Sequence, residues 1–362
     1  MAIRSIELSL RRITHMKEKK IEDWLKKKRD RRLKMTPEEI FDGIRSNDVT
    51  ALSTGITLLE SQNPAHRLLA NELIKLCLPY SGKSIRVGIT GVPGVGKSTF
   101  IEAFGKELSD KGEKIAVLAI DPSSGVSGGS ILGDKTRMNE LSITDNVFIR
   151  PSAAGRTLGG VARATRESII LCEAAGFNYI LIETVVVGQS EVMVKSMVDF
   201  FLLLMLSGAG DELQGIKKGI MEMADALLIT KADGDNVIKS KSAAREYKNA
   251  LHLFPANRNE WIPKVFTCSA ITGENIDEVI NLIDSFKNHV TINGSFVSNR
   301  KEQDTQWLNE TIEELILNDY YSDDAIQLAL SEIEKQVLEG KLTSFQGAEQ
   351  IHQIYLKKNG KI

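Results

Sequence analysis

Hydrophobic positions divide the chain into three patterns. Between residues 84 and 290, short β-branched and aliphatic runs alternate with amphipathic stretches. The runs predict strands over 85–90, 115–120, 147–150, 179–183, 200–206, 226–230 and 264–268. Helical spacing predicts helices over 98–110, 159–175, 190–197, 214–223, 237–250 and 275–287. This alternation builds an α/β fold with a doubly wound, mostly parallel sheet, whose ligands sit at the carboxyl ends of the strands.

Residues 37–80 are helical in pattern. Thr36-Pro37-Glu38-Glu39 is an N-cap followed by Pro and acids in the first turn. A second helix is expected from Asp48 or Thr50 to Ser61, and a third from Ala65 to Leu78 after the Asn63-Pro64 break. Beyond Val290, Thr291 to Ser298 reads as a linker, followed by helices over 302–317, 323–339 and 343–355. Their apolar positions (Trp307, Ile312, Leu315, Ile316 on the first) need cover from the α/β region or another chain. The expected division is an N-terminal extension and helical region over 1–83, an α/β domain over 84–290 and a C-terminal helical arm over 291–362, with helical extensions at both ends of the sheet.

The first strand runs into Gly91-Val92-Pro93-Gly94-Val95-Gly96-Lys97-Ser98-Thr99, the spacing of a P-loop. Glycines let the backbone curl so that successive N–H groups face phosphate oxygens. Lys97 brings a mobile positive charge, Ser98 a hydroxyl for Mg²⁺, and the helix after it the positive end of its dipole. Glu183 closes an apolar strand where a Walker B carboxylate sits and reaches the metal directly or through water. Asp121 and Asp134 lie on loops after another strand and suggest metal coordination or water positioning. Ser98, Asp121, Asp134 and Glu183 form the expected Mg²⁺ set, and Lys97 with the three acids the catalytic set.

Thr230-Lys231-Ala232-Asp233 follows another strand. A carboxylate there accepts hydrogen bonds from the N1–H and exocyclic amine of guanine, a donor pair adenine lacks. The lysine stem can lie along the base with its ammonium in water. Ser269-Ala270-Ile271, after the last strand, supplies a backbone N–H for the guanine carbonyl. The ligands expected are GTP or GDP and Mg²⁺.

Composition narrows the picture only a little. The 362 residues carry 26% charged and 42% hydrophobic side chains and a net charge of −2, so no global field calls for nucleic acid or a membrane. Residues 1–36 hold 13 Lys and Arg against 5 Asp and Glu, a patch that reads as a solvated helix face or frayed extension rather than as a site for nucleic acid or an acidic partner. No apolar run has the roughly 18 residues of a membrane span, and no secretory h-region is expected. Three scattered cysteines, Cys77, Cys172 and Cys268, suit a reducing compartment, so the expected location is the cytoplasm, or the mitochondrial matrix if the source is eukaryotic.

Longer runs sharpen this reading. Ser130-Ile-Leu-Gly-Asp-Lys-Thr-Arg-Met138, Gly188-Gln-Ser-Glu191 and Gly208-Ala-Gly-Asp-Glu-Leu-Gln-Gly-Ile-Lys-Lys-Gly219, with the P-loop and Glu183-Thr-Val, resemble the MeaB/MMAA (ArgK-type) family of methylmalonyl-CoA mutase-associated GTPases. The resemblance runs from about residue 40 to the C-terminus. It implies a GTP-binding and hydrolysing chaperone, slow alone and stimulated by its partner. Such a chaperone gates adenosylcobalamin loading and protects methylmalonyl-CoA mutase or a related cobalamin-dependent acyl-CoA mutase. It further implies that Ser207 to Lys217 is a third switch reporting nucleotide state, with Lys217 as its reporter, and that the C-terminal helices form a homodimer arm.

Three positions depart from the family pattern. Val186 replaces a glycine of the second switch and is expected to stiffen it, slowing hydrolysis unless Gly188 substitutes. Arg156 is an added loop cation, either a solvated charge or an arginine finger in cis. Thr230 replaces Asn, which keeps a hydroxyl and loses an amide; guanine selectivity is expected to survive with lower affinity. The alternatives are a metal-insertion GTPase, disfavoured by dispersed His and Cys, an ATP-dependent kinase or transport-linked ATPase, disfavoured by Asp233, and a nucleotide-dependent scaffold with negligible hydrolysis.

Overall fold

The computed structural model describes residues 35–61, 63–120, 138–151, 158–184, 190–208, 218–251, 259–358 and 360. Seven strands are present: β1 (Ile85–Gly91), β2 (Ile115–Ile120), β3 (Val147–Arg150), β4 (Tyr179–Thr184), β5 (Phe200–Met205), β6 (Ala226–Ile229) and β7 (Lys264–Thr267). They form one sheet in the order β3-β2-β4-β1-β5-β6-β7, with every pairing parallel. β1 therefore lies where the winding reverses, between the half that runs outward through β4, β2 and β3 and the half that runs through β5, β6 and β7. That is where a doubly wound sheet opens its ligand crevice.

Every residue of β4 and β5 is buried. Parallel strands need helices on both faces, which is why these strands read as unbroken apolar runs rather than alternating ones. The helices between strands are α4 (Lys97–Asp110), α5 (Leu158–Ala174), α6 (Ser190–Lys195), α7 (Lys218–Met223), α8 (Val237–Leu251) and α9 (Ile276–Ile292). On one face α4 brings stacked Phe100 and Phe104 to the sheet, and Phe286 of α9 meets Phe200 and Trp261 edge-on, with ring centroids 4.9 and 5.2 Å apart.

Three helices precede the sheet: α1 (Pro37–Arg45), α2 (Val49–Leu59) and α3 (Pro64–Cys77). Thr36 and Glu39 close a capping box at the start of α1, and Asp48 and Asn63 cap the next two. All three pack against α5. Arg45 donates to the carbonyl of Ala174, and Arg150 of β3 pairs with Glu60 at the end of α2.

The start of β1 is tied to α5 by one buried carboxylate. Glu173 accepts from the Gly82 N–H at 2.7 Å, the Ser84 hydroxyl at 2.6 Å and the Arg86 guanidinium at 3.2 Å through two nitrogens. Burial alone would raise its pKa; the Arg86 charge and these donors outweigh burial and hold it below the usual carboxylate range.

The chain separates into two compact units, one up to Phe296 and one from Val297 onward. The expected linker over 291–298 is instead a helix junction. α9 continues to Ile292, Asn293 caps it, Gly294 turns at φ 77°, and α10 (Ser295–Ser322) begins at once. A glycine at C′ is enough to stop one helix and start another, so the Asn-Gly pair needs no longer linker. The second unit contains α10, α11 (Asp324–Leu338) and α12 (Ser344–Lys358). Ile326, Ile333 and Ile351 form its core with Tyr320, Leu330, Val337, Leu342 and Tyr355 around them. Leu308, Ile312, Leu315, Ile316 and Leu317 of α10 are exposed within the single chain. Among the described residues no helix is long and apolar enough to cross a membrane.

Replacing Glu173 by Ala removes the charge partner of Arg86 and the acceptor of the Gly82 N–H and the Ser84 hydroxyl. Denaturant unfolding is expected to show a loss of about 3–5 kcal/mol. Because the folded pKa is depressed, this contribution is present above the ordinary glutamate pKa and fades as pH falls through the lower folded value. Glu173→Ala is therefore expected to lose its deficit relative to the parent chain in acid.

Candidate functional site

The loop after β1 is shaped by backbone contact. A Cβ at Gly91 would lie 2.7 Å from the Leu204 carbonyl oxygen and 2.9 Å from a Val95 methyl, so no side chain fits where β1 leaves β5. Gly94 and Gly96 turn with φ of 81° and 95°, a region that costs other residues strain. Val95 is fully buried and pins the middle of the loop, and its N–H bonds the Val92 carbonyl at 3.2 Å. Gly96 then N-caps α4 without a side-chain hydrogen bond, so no side-chain cap takes up the N–H groups of that first turn. Lys97 is buried and reaches back over the loop, 2.8 Å from the Gly91 carbonyl and 3.3 Å from that of Val92. A curled backbone, a helix N-terminus and one lysine make a site for a polyphosphate.

Beside it, Ser98 Oγ lies 3.3 Å from Glu183 Oε1. The register pairs Glu183 with Ile89 on β1 and Ala119 on β2, which sets this largely buried acid beside the loop. A hydroxyl and a carboxylate at this separation fit a hard, oxygen-seeking cation such as Mg²⁺. Asp121 and Asp134, the other expected metal ligands, lie outside the described residues, as do Arg156, Val186, Gly188 and Lys217. Among the described residues no group of three or more His, Cys, Asp or Glu is arranged to hold a metal.

The base-recognition candidates meet the same loop from β6 and β7. Thr230 Oγ1 is 2.7 Å from the Val95 carbonyl and 3.2 Å from that of Met205, while the Thr230 N–H also donates to Met205 at 2.9 Å. A hydroxyl has one proton, so the shorter contact to Val95 takes it. The hydroxyl that Thr230 shares in kind with no amide thus anchors the loop. Lys231 adopts a left-handed φ of 56° and donates to the Gly94 carbonyl at 2.8 Å. Asp233 Oδ2 accepts from Ser269 Oγ at 2.6 Å, and Ser269 Oγ in turn accepts from the Thr272 N–H at 3.2 Å. The Ala232 N–H donates to the Cys268 carbonyl at 3.0 Å, which holds the two loops side by side. Ala270 follows, and Ile271 is strongly exposed. Burial pushes the Cys268 thiol up to about 12, so it sits here as a small apolar group, not a nucleophile.

The structure thus gathers Lys97, Ser98, Glu183, Thr230, Lys231, Asp233 and Ser269 at one edge of the sheet. One residue of this network, Asn236, carries no recognisable motif; its partner Ser207 opens the expected third switch. Asn236 donates from Nδ2 to the Lys231 carbonyl at 2.7 Å and accepts from Ser207 Oγ at 2.6 Å. The only sequence signal of Asn236 is a polar residue in a turn after an apolar strand.

Comparison with known proteins agrees with this geometry. The family model described as "Methylmalonyl Co-A mutase-associated GTPase MeaB" matches residues 52–325. A "Putative GTPase" of Caulobacter vibrioides is 46% identical over 306 residues, 84% of this chain and 94% of that protein. "GTPase ArgK" of Escherichia coli is 46% identical over 289 residues, 80% of this chain and 87% of its own. The mouse "Methylmalonic aciduria type A homolog, mitochondrial" is 43% identical over 322 residues, 86% of this chain and 78% of its own. Among solved structures, one described as an LAO/AO transport system kinase superposes with a TM-score of 0.71 at 36% identity, covering 88% of this chain and 97% of that one. With its P-loop at the reversal of a parallel sheet and these relatives, this chain belongs to the MeaB family of GTPases.

Proposed function

We propose that this GTPase is a chaperone of a cobalamin-dependent acyl-CoA mutase of the methylmalonyl-CoA type, using GTP binding and hydrolysis to gate adenosylcobalamin loading and to protect the mutase. The reading of the nucleotide site is carried by one observation: Asp233, fixed by Ser269 at 2.6 Å, stands on a loop that is itself bonded to the P-loop carbonyls of Gly94 and Val95. Base and phosphate recognition then share one rigid frame. The mutase link is supported by the family description and by the names of the mouse and nematode relatives.

In this reading the N–H groups of residues 94–97 and the start of α4 cradle the phosphates. Lys97 exchanges its carbonyl contacts for the outer phosphates. Ser98 and Glu183, with Asp121 and Asp134, would hold Mg²⁺, which would neutralise charge developing on the phosphate oxygens. Asp233 accepts from guanine N1–H and its amine, Lys231 lies along the base, and the backbone at Ser269, Ala270 and Ile271 meets the guanine carbonyl. Thr230 holds Val95 in place. The second unit, with its exposed apolar α10 face, is the homodimer arm, and the functional division runs over 1–83, 84–290 and 291–362.

Asp233→Asn turns one acceptor of the carboxylate into a donor. That mismatches guanine and matches xanthine, whose C2 carries an oxygen. GDP affinity is expected to fall by about 100-fold or more, the scale of two hydrogen bonds to a charged group, with a gain for XDP in the same competition assay. Parent protein that binds ADP as tightly as GDP would overturn the guanine reading. Lys97→Ala is expected to lower single-turnover GTP hydrolysis by about 100-fold or more, since one preorganised charge at the phosphates is lost. Capture of a cobalamin enzyme from extract of the source cell, changing between GDP and a non-hydrolysable GTP analogue, is the outcome expected of the chaperone. Nucleotide-independent capture, or none, would count against it.

A further inference from the structure

The hydrogen bonds around Asn236 join two parts of the molecule that sequence treats separately. One is the base loop, Thr230 to Asp233. The other is the chain leaving β5 at Met205, which passes through Leu206 and Ser207 to Gly208, where φ is 87°. Asn236 reaches both with one side chain. Its Oδ1 accepts from Ser207 Oγ at 2.6 Å, and its Nδ2 donates to the Lys231 carbonyl at 2.7 Å. Its own N–H donates to the Asp233 carbonyl at 2.9 Å, closing the short turn over Gly234–Asn236. Thr230 makes the second bridge, from its N–H to the Met205 carbonyl at 2.9 Å.

The Lys231 carbonyl is the revealing partner. Lys231 holds a left-handed φ of 56°, a conformation uncommon for a residue with a Cβ. Its peptide is kept there by the amide of Asn236 on its carbonyl and by its own ammonium on Gly94 at 2.8 Å. A base seated against Lys231 and Asp233 presses on this turn. If the Lys231 carbonyl moves away from Ser207, one of the two Asn236 side-chain hydrogen bonds lengthens or breaks. An amide suits the task because it offers an acceptor to one side and a donor to the other.

We propose that Asn236 is a positioning residue that couples the purine-binding loop to the chain leaving β5, so that guanine nucleotide orders the backbone up to Ser207 and Gly208. The coupling rests on the reading of Asp233 as the guanine carboxylate. It adds a route by which an occupied base site is felt at the segment beginning at Ser207.

The test is hydrogen exchange on the full chain, with and without saturating GDP or ADP. In the parent protein GDP is expected to slow exchange over 203–208 by about tenfold, the scale of one hydrogen bond, with little effect from ADP. Asn236→Asp keeps the acceptor for Ser207 and loses the donor to Lys231; Ser207→Ala breaks the other arm. Both are expected to lose protection over 203–208 at saturating GDP while keeping it over 91–99, and Ser207→Thr, which retains the hydroxyl, is expected to restore it. Protection over 203–208 that persists in both variants would overturn the coupling. Loss at 91–99 as well would mark general loosening and would equally overturn it. Equal binding of ADP and GDP by the parent chain would instead sink the guanine reading beneath it.

Discussion

β1 is hydrogen-bonded on both sides, to β4 and to β5, and its last residue touches the backbone of Leu204 so closely that only glycine fits. That contact sets where the following loop starts. Everything else at the site is placed by reference to it. Glu183 arrives because β4 pairs with β1 in a register that puts it opposite Ile89. Thr230 arrives because β6 pairs with β5, one strand further out, and Ile229 lies opposite Met205. A parallel sheet brings all its carboxyl ends to one edge, so residues far apart in sequence become neighbours there without any long-range design in the loops themselves.

The polar groups at this edge are arranged with their partners already in place. The two lysines lie on loop carbonyls, Lys97 on Gly91 and Val92, Lys231 on Gly94. The two carboxylates each meet a serine hydroxyl, Glu183 with Ser98 and Asp233 with Ser269. A lysine that leaves a carbonyl for a phosphate loses a dipole and gains a charge, so exchange is favourable only when an anion is present. Donors and acceptors fixed before the ligand arrives cost little reorganisation when it binds. The same economy extends outward through Thr230 and Asn236, which spend single hydrogen bonds to hold whole loops.

Away from this edge the chain shows two ways to handle helices. α1 to α3 bury their apolar faces on α5, and the Glu173 cluster locks the segment that joins them to β1. The second unit closes only a small core around Ile326, Ile333 and Ile351 and leaves a run of leucines and isoleucines on α10 in contact with water.

Much of this was legible in the residues. The apolar runs placed all seven strands to within a residue or two, most cleanly for β4 and β5, which are buried along their whole length. Glycine spacing with a terminal Lys-Ser marked the phosphate loop, and acids closing apolar runs marked Glu183 and Asp233. The stretch 291–298 was misread as a linker, since Asn-Gly flanked by weak helix formers looks the same whether it ends a helix or joins two. Local chemistry thus determined, from the sequence alone, the elements and the kind of ligand. The order β3-β2-β4-β1-β5-β6-β7, the tie from Thr230 to Val95, and the bridge of Asn236 between Ser207 and Lys231 were decided only by the tertiary structure. Each depends on which strands become neighbours, and neighbour choice is set by packing across the whole sheet, not by any short stretch of side chains.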